Sequence, residues 1–182
     1  ADRLGRLTQK LLTLTKLDSS VEEEREILDA APVVRKVVRM LLPLARLRGI
    51  GIDTTFEPDC SVMTVEDDLY QIVFNLTENA IKYNRQDGWV GVSVRRAGDQ
   101  VELRVEDSGA GIPPESMEHI FERFYRVDKA RSRAAGGAGL GLSIVHDMVE
   151  RSYGTITVQA RPGGGTIFTV RFPHFDLEED ET

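Results

Sequence analysis

The chain has 182 residues, 41% hydrophobic and 29% charged, an ordinary globular composition that suits one domain with a buried core plus an appendage. No apolar run approaches the roughly 20 residues that span a bilayer, and no segment reads as a signal peptide. A single cysteine, Cys60, excludes an internal disulfide and fits a reducing compartment. The net charge of −7 argues against an extended nucleic-acid surface.

In chain order, Leu4, Leu7, Leu11 and Leu14 form a helical pattern with a narrow apolar seam. Two heptads are too few to specify a coiled coil, and a generic leader helix stays open. The pattern begins without a cap signal, so residues 1–20 read as the end of a longer helix and its linker. A short strand follows near Glu24–Leu28. Pro32 suits the start of a helix whose apolar stripe is Val34, Val37, Val38, Leu41, Leu42 and Ala45, with Gly49 as its stop. Pro43 is expected to kink or shorten it. Strands are predicted over Ile50–Phe56 and Val62–Val65, and a second helix over Asp67–Tyr83.

Val90, Val92 and Val94 alternate, as do Val101, Leu103 and Val105, so these runs predict a hairpin with one buried face. Residues 113–136 lack periodicity and form a long loop with one helical turn at most, a length expected to be functional or mobile. Within it, residues 121–133 carry Arg123, Arg126, Lys129, Arg131 and Arg133 against Glu122 and Asp128, a net +3 segment in an acidic chain. A solvated basic loop and a site for a nucleotide triphosphate both fit that charge. A third helix is predicted from Gly139 to Arg151, and a last hairpin joins Thr155–Ala160 to Thr166–Phe172 through Arg161-Pro162-Gly163-Gly164-Gly165. The elements imply an α+β, two-layer sandwich: a mixed sheet of about five strands packed under three helices. Residues 21–175 would form this domain, followed by an acidic tail over 176–182.

Four segments carry chemistry. In the second helix Asn75, Asn79 and Lys82 fall within roughly 60° on one stripe, at about 100° per residue. An amide oxygen is a neutral hard ligand suited to Mg2+, and a lysine one turn on supplies a charge for phosphate. A polar helix face meeting water is the bland alternative. Asp107 ends a strand before Gly109 and Gly111, where a carboxylate could accept from an amine and the backbone could come close, or simply end the strand in a turn. Phe121 and Phe124 are expected to pin the loop as apolar anchors. Gly137, Gly139 and Gly141 open the third helix, whose free N–H groups and dipole favour phosphate.

The order and wording of these segments resemble the N, G1, F and G2 boxes of bacterial sensor histidine kinases: Asn75-Leu76-Thr77-Glu78-Asn79-Ala80-Ile81-Lys82-Tyr83-Asn84, Asp107-Ser108-Gly109-Ala110-Gly111-Ile112, Phe121-Glu122-Arg123-Phe124-Tyr125-Arg126 and Gly137-Ala138-Gly139-Leu140-Gly141-Leu142. The resemblance implies the Bergerat-type ATP-binding fold shared with type II topoisomerases and mismatch-repair ATPases, with ATP and Mg2+ as cofactors. It implies Asn79 as the Mg2+ ligand and Asn75, Lys82 and Tyr83 near phosphate and nucleotide. Asp107 would read adenine, with Gly109, Gly111 and Ile112 beside it, and Phe124, Tyr125 and Arg126 would face the triphosphate with Gly137, Gly139, Leu140, Gly141 and Leu142. Glu78, Lys82 and Arg126 would be catalytic, Glu78 by orienting or deprotonating the attacking histidine.

No phosphoacceptor box is present, and His119, His146 and His174 lack its flanking pattern. The resemblance therefore places the nucleophile on a dimerisation hairpin outside residues 1–182, in a homodimer that passes phosphate to a response-regulator receiver domain. It also implies a cytoplasmic location, as part of a membrane-anchored sensor, with no nucleic acid as partner. Ser152-Tyr153-Gly154 departs from the usual His-Gly-Gly and is expected to affect the surface more than the site. Two other readings stay open: a hydrolytic ATPase of the same superfamily, whose water-activating Glu would stand where this chain has Asn75, and a degenerate nucleotide-sensing module.

Overall fold

The computed structural model describes residues 24–127 and 139–177, with Gly5, Thr8, Leu11, Leu12, Thr13 and Thr15 of the leading segment, all helical. The rest of the leucine seam, Gly137 and most of the acidic tail lie outside the described residues.

Strand β1 (Glu26–Asp29) runs into helix α1 (Ala30–Leu47), where the Asp29 carboxylate accepts from the Ala31 N–H at 3.1 Å and caps the first turn. Pro43 neither shortens nor ends α1, contrary to expectation. It lies on the solvent side, where the carbonyl it leaves without an N–H partner can meet water. Gly49 follows the helix at φ +66°, the left-handed stop that its sequence position suggested. Strands β2 (Gly51–Phe56) and β3 (Ser61–Thr64) precede helix α2 (Glu66–Lys82). The hairpin β4 (Trp89–Ala97) and β5 (Gln100–Asp107), the one-turn helix α3 (Pro114–Met117), helix α4 (Gly141–Arg151) and strands β6 (Thr155–Ala160) and β7 (Thr166–Pro173) complete the order. Helix α4 starts two residues later than expected. Gly139 takes φ +73°, a conformation no right-handed helix accommodates.

The main sheet has the order β2-β4-β5-β7-β6, with β2 parallel to β4 and all other neighbours antiparallel. The parallel pair requires a crossover, which α2 supplies. A separate antiparallel pair, β1 with β3, closes one end. The fold is thus the expected mixed five-stranded sheet beneath helices. Alternate residues of the central strands (Val90, Val92, Val94; Val101, Leu103, Val105; Phe168, Val170, Phe172) turn to the helices and are buried. They meet Val34, Val37 and Leu41 of α1, Leu69, Ile72, Val73 and Leu76 of α2, and Ile144, Val145 and Met148 of α4. Each such side chain contributes about 1.5–3 kcal/mol by leaving water. The other sheet face is polar. There Glu102, 4% exposed, lies between Arg95 at 2.6 Å and Arg171 at 2.8 Å.

Helices α2 and α4 pack together, and buried Asp68 in the first turn of α2 forms an ion pair with Arg151 in the last turn of α4. The pair runs the helices in opposite directions, which sets the N-terminus of α4 toward the Asn79–Lys82 end of α2. No helix among the described residues is long and apolar enough to cross a membrane.

Candidate active site

Helix α2 buries Leu69, Ile72, Val73, Leu76 and Ala80 and turns its polar stripe along the sheet edge. Asn75 is 6% exposed, and its Nδ2 donates to the Gln71 carbonyl at 2.9 Å, so the amide is oriented by its own helix. Asn79 and Glu78 are half-buried, and neither side chain makes a hydrogen bond among the described residues. Asn79 therefore has an amide oxygen ready for an outside cation. Lys82 holds its ammonium 5.9 Å from the ring of Tyr83, the residue that ends the helix.

Asp107 closes β5 beside the C-terminal end of α2. The Gly109 N–H donates to its Oδ1 at 2.7 Å, and the Thr166 N–H and the Arg161 charge also support the carboxylate. Burial nevertheless dominates and pushes the carboxyl above its ordinary 3.8. Gly109 is obligatory: a Cβ there would lie 2.6 Å from the Tyr83 carbonyl and 2.8 Å from Asp107 Oδ1. Gly111 approaches Gly165 in the β6–β7 turn, and a Cβ on Gly165 would lie 1.9 Å from the Asp107 carbonyl oxygen. Ile112 packs on the core. The sequence showed Arg161–Gly165 only as turn chemistry, with no sign that this turn braces Asp107. Arg161 holds it by donating to Gly164 O at 3.3 Å and stacking 5.2 Å from the Trp89 ring, while Trp89 Nε1 donates to Asp53 at 2.6 Å.

The aromatic segment after α3 corrects one expectation. Phe121 does anchor, meeting Phe168 edge-on at 6.4 Å and His146 at 5.6 Å. Phe124 does not: it is 62% exposed at φ +66°. Its N–H donates to Gly139 O at 2.9 Å, and this backbone link between the two motifs turns the ring outward. The second anchor is Tyr125, whose hydroxyl donates to Ser116 Oγ at 3.0 Å. Gly139 is needed here, since a Cβ would meet the Tyr125 carbonyl at 2.8 Å. Arg126 follows with Nε and Nη2 buried and without a hydrogen-bond partner among the described residues.

Helix α4 begins at Gly141 with no side-chain cap on Leu140, so its first N–H groups are left for another acceptor. Leu140 is fully buried and can offer only its backbone, while Leu142 is partly buried on the core. The described residues of the four motifs thus lie on three segments. One is the C-terminal half of α2, one is the Asp107 turn, and one is the Tyr125–Arg126 segment tied to the start of α4.

The sequence model of the histidine kinase-, DNA gyrase B- and HSP90-like ATPases matches residues 64–176. Sensor-like histidine kinase SenX3 of Mycobacterium tuberculosis is 37% identical over 174 residues, which cover 95% of this chain and 42% of that protein. Sensor protein kinase WalK of Staphylococcus saprophyticus is 35% identical across 99% of this chain and 30% of its own length. The chain therefore spans less than half of these curated relatives. Among solved structures, full-length ShkA in complex with AMPPNP superposes with a TM-score of 0.83 at 28% identity, over 97% of this chain and 37% of ShkA. The catalytic domain of histidine kinase ThkA gives 0.74 at 25% identity, over 84% of this chain and 97% of that domain. The motif segments and a family match across residues 64–176 lead to one assignment: the chain belongs to the histidine kinase-, DNA gyrase B- and HSP90-like ATPase family.

Proposed function

We propose that this chain binds Mg2+-ATP between α2, the Asp107 turn and the start of α4, and delivers the terminal phosphate to a histidine on a dimerisation hairpin in two-component signalling. One observation carries the reading most: Arg126 is partly buried, and two of its guanidinium nitrogens, Nε and Nη2, are buried with no hydrogen-bond partner among the described residues. Such a group is costly unless an anion completes it, and a phosphate oxygen does so by charge-assisted hydrogen bonds.

The residues fit the nucleotide. Asp107, kept mainly as an acceptor, would take a hydrogen bond from the exocyclic amine of adenine, and Gly109 and Gly111 let the base approach. Asn79 would offer its amide oxygen to Mg2+, which neutralises the phosphates and keeps several waters in its shell. Lys82 and Arg126 would balance charge along the triphosphate, and the uncapped N–H groups of α4 would add donors. Transfer of this kind is mostly positioning and charge neutralisation.

The acceptor histidine belongs outside these residues. His119 is hydrogen-bonded to Glu122 at 2.7 Å, which raises its pKa and favours the charged ring, a form without a nucleophilic lone pair. His146 packs on Phe121, and the His174 side chain is only 4% exposed. Asn75 argues against hydrolysis, because a neutral amide is too weak a base to take a proton from water. Glu78, half-buried beside Asn79, would orient the incoming imidazole. Residues 1–20 would join this ATP-binding domain of 21–175 to the hairpin, and a receiver domain would take the phosphate onward, in the cytoplasmic part of a membrane-anchored dimeric sensor.

The test supplies the hairpin as a separate chain with labelled ATP and Mg2+. Label should appear on the hairpin histidine, stable to alkali and lost in acid. Label on the 182-residue chain itself, or free phosphate without transfer, would overturn the assignment.

A further inference from the structure

We infer that Asn84 is a positioning residue that fixes the spacing between the metal-binding helix α2 and the adenine-reading turn at Asp107. The inference rests on the nucleotide reading above and assigns a role to a residue outside the expected ligand set.

A primary amide has two donors and two acceptor sites, and Asn84 uses all four. Its Nδ2 donates to the Ala80 carbonyl in the last turn of α2 at 3.1 Å, and to the Trp89 carbonyl at the head of β4 at 3.0 Å. Its Oδ1 accepts from the Arg85 N–H at 2.9 Å and from Ser108 Oγ at 3.3 Å. Ser108 is buried and accepts from the Trp89 N–H at 2.8 Å, while its own N–H donates to Trp89 O at 3.0 Å. The next residue along, Gly109, donates to the Asp107 carboxylate. One side chain thus links the end of α2, the start of β4 and the turn that orients Asp107.

The chain around the amide is shaped for it. A Cβ on Gly88 would lie 2.1 Å from Asn84 Oδ1, and one on Gly109 would lie 3.0 Å from Asn84 Cα. Saturation on both ends also fixes the amide's orientation, because a flip would set two carbonyl oxygens against Oδ1. Asn79 lies five residues before Asn84, in the last turn of α2, so the network ties the metal position to the base position. A single nucleotide must reach both at once. On its other side Asn84 borders an open depression of about 410 Å3, lined also by Leu47, Arg48 and Ile81, so truncation opens onto solvent and leaves the core intact.

The experiment measures Mg2+-ATP and Mg2+-GTP binding to the 182-residue chain by calorimetry, with thermal melts as a check on folding. Asn84→Ala should weaken ATP about tenfold and GTP by less than about twofold, collapsing the preference for adenine, in line with a coupled pair of neighbouring residues. Asn84→Asp keeps the shape but aims a carboxylate oxygen at the Ala80 and Trp89 carbonyls, so it should lose at least as much. In an Asp107→Asn background, Asn84→Ala should cost ATP affinity less than about twofold, since the residue it positions is already disabled. Ser108→Ala cuts the same link from its other end and should reproduce the lost preference, which covers the case in which Asn84→Ala does not fold. Equal losses for ATP and GTP, tolerance of Asn84→Asp, or a full further loss in the Asp107→Asn background would overturn the positioning role. Failure of the unsubstituted chain to bind either nucleotide would instead remove the nucleotide reading itself, and this inference with it.

Discussion

Asp107→Asn separates function from stability, because the two respond to the same carboxylate with opposite sign. In the folded chain the Asp107 carboxylate accepts from Gly109 N–H at 2.7 Å and from Thr166 N–H, yet burial still raises its pKa above 3.8. A raised carboxyl means that the folded state binds its proton more tightly than the unfolded chain does. Stability therefore falls as pH rises from the unfolded value through the folded one, and the ionised group is a net cost at neutral pH. The amide removes that cost and gives up one accepted N–H bond, worth about 0.5–1.5 kcal/mol. Thermal stability at pH 7 should accordingly stay within about 1 kcal/mol of the parent, with the two terms in partial balance. Binding behaves differently. The oxygen that would accept from the adenine amine becomes an NH2, so a hydrogen bond to a charged group, worth about 1.5–3 kcal/mol, is lost. At 1.4 kcal/mol per decade, ATP affinity should fall about 10- to 150-fold. In the parent, protonating Asp107 has the same effect, so ATP affinity should drop as pH falls through the raised carboxyl value. That acid limb should be missing in the variant. Calorimetry across pH, paired with melts, reads both quantities. Equal ATP affinity in the two proteins, or an acid limb that survives in Asp107→Asn, would refute the reasoning.

Other perturbations test the remaining segments. Asn79→Ala should leave Mg2+ without effect on ATP affinity, read by calorimetry with and without the metal. Arg126→Ala should slow transfer to a supplied hairpin more than it weakens ATP binding, and its melting temperature should not fall, since the side chain removed has two buried guanidinium nitrogens without a partner among the described residues. Gly165→Ala forces a side chain into φ +107° with its Cβ 1.9 Å from the Asp107 carbonyl oxygen; melts should show a loss of about 2 kcal/mol or more, with nucleotide binding lost alongside. Asp68→Ala removes the carboxylate that pairs with Arg151, whose side chain is 25% exposed, so denaturant titration should show a loss of about 3 kcal/mol, the lower end for a buried pair.

How far the sequence foretold this depends on the range of the interactions involved. Strand alternation at Val90–Val94 and Val101–Val105 and the apolar stripe of α2 are local signals; α2 and β5 lie within a residue or two of their expected bounds, and β4 runs on to Ala97. The motif wording brought Asn79, Lys82, Asp107 and Arg126 forward together for the same reason. What stayed hidden was set by contacts distant in sequence. Phe124 read as an anchor because apolar residues near a core usually are, but the hydrogen bond from its N–H to Gly139 turns it out to 62% exposure. No pattern in Arg161–Gly165 announces a brace on Asp107, some 55 residues earlier in the chain. Pro43 was weighed by its intrinsic cost, which solvent exposure reduces.

Several exceptions to local rules fall in the motif segments. Asp107 is an acid held in a burial that disfavours its charge, Arg126 keeps two buried guanidinium nitrogens without a hydrogen-bond partner among the described residues, and Phe124 is a bulky residue at φ +66°; Tyr153, after α4, shows the same backbone strain at φ +57°. Each would cost of order 1–3 kcal/mol in isolation. The offsetting terms lie elsewhere, in the valine-rich sheet face and in the Asp68–Arg151 pair at the far end of α2 and α4. Arg126 and Asp107 together fit a site completed by a polyanion bearing a hydrogen-bond donor at one end. Nucleotide binding should therefore stabilise this chain by the mass-action amount its affinity sets, and most of that gain should vanish in the Arg126→Ala, Asp107→Asn double variant.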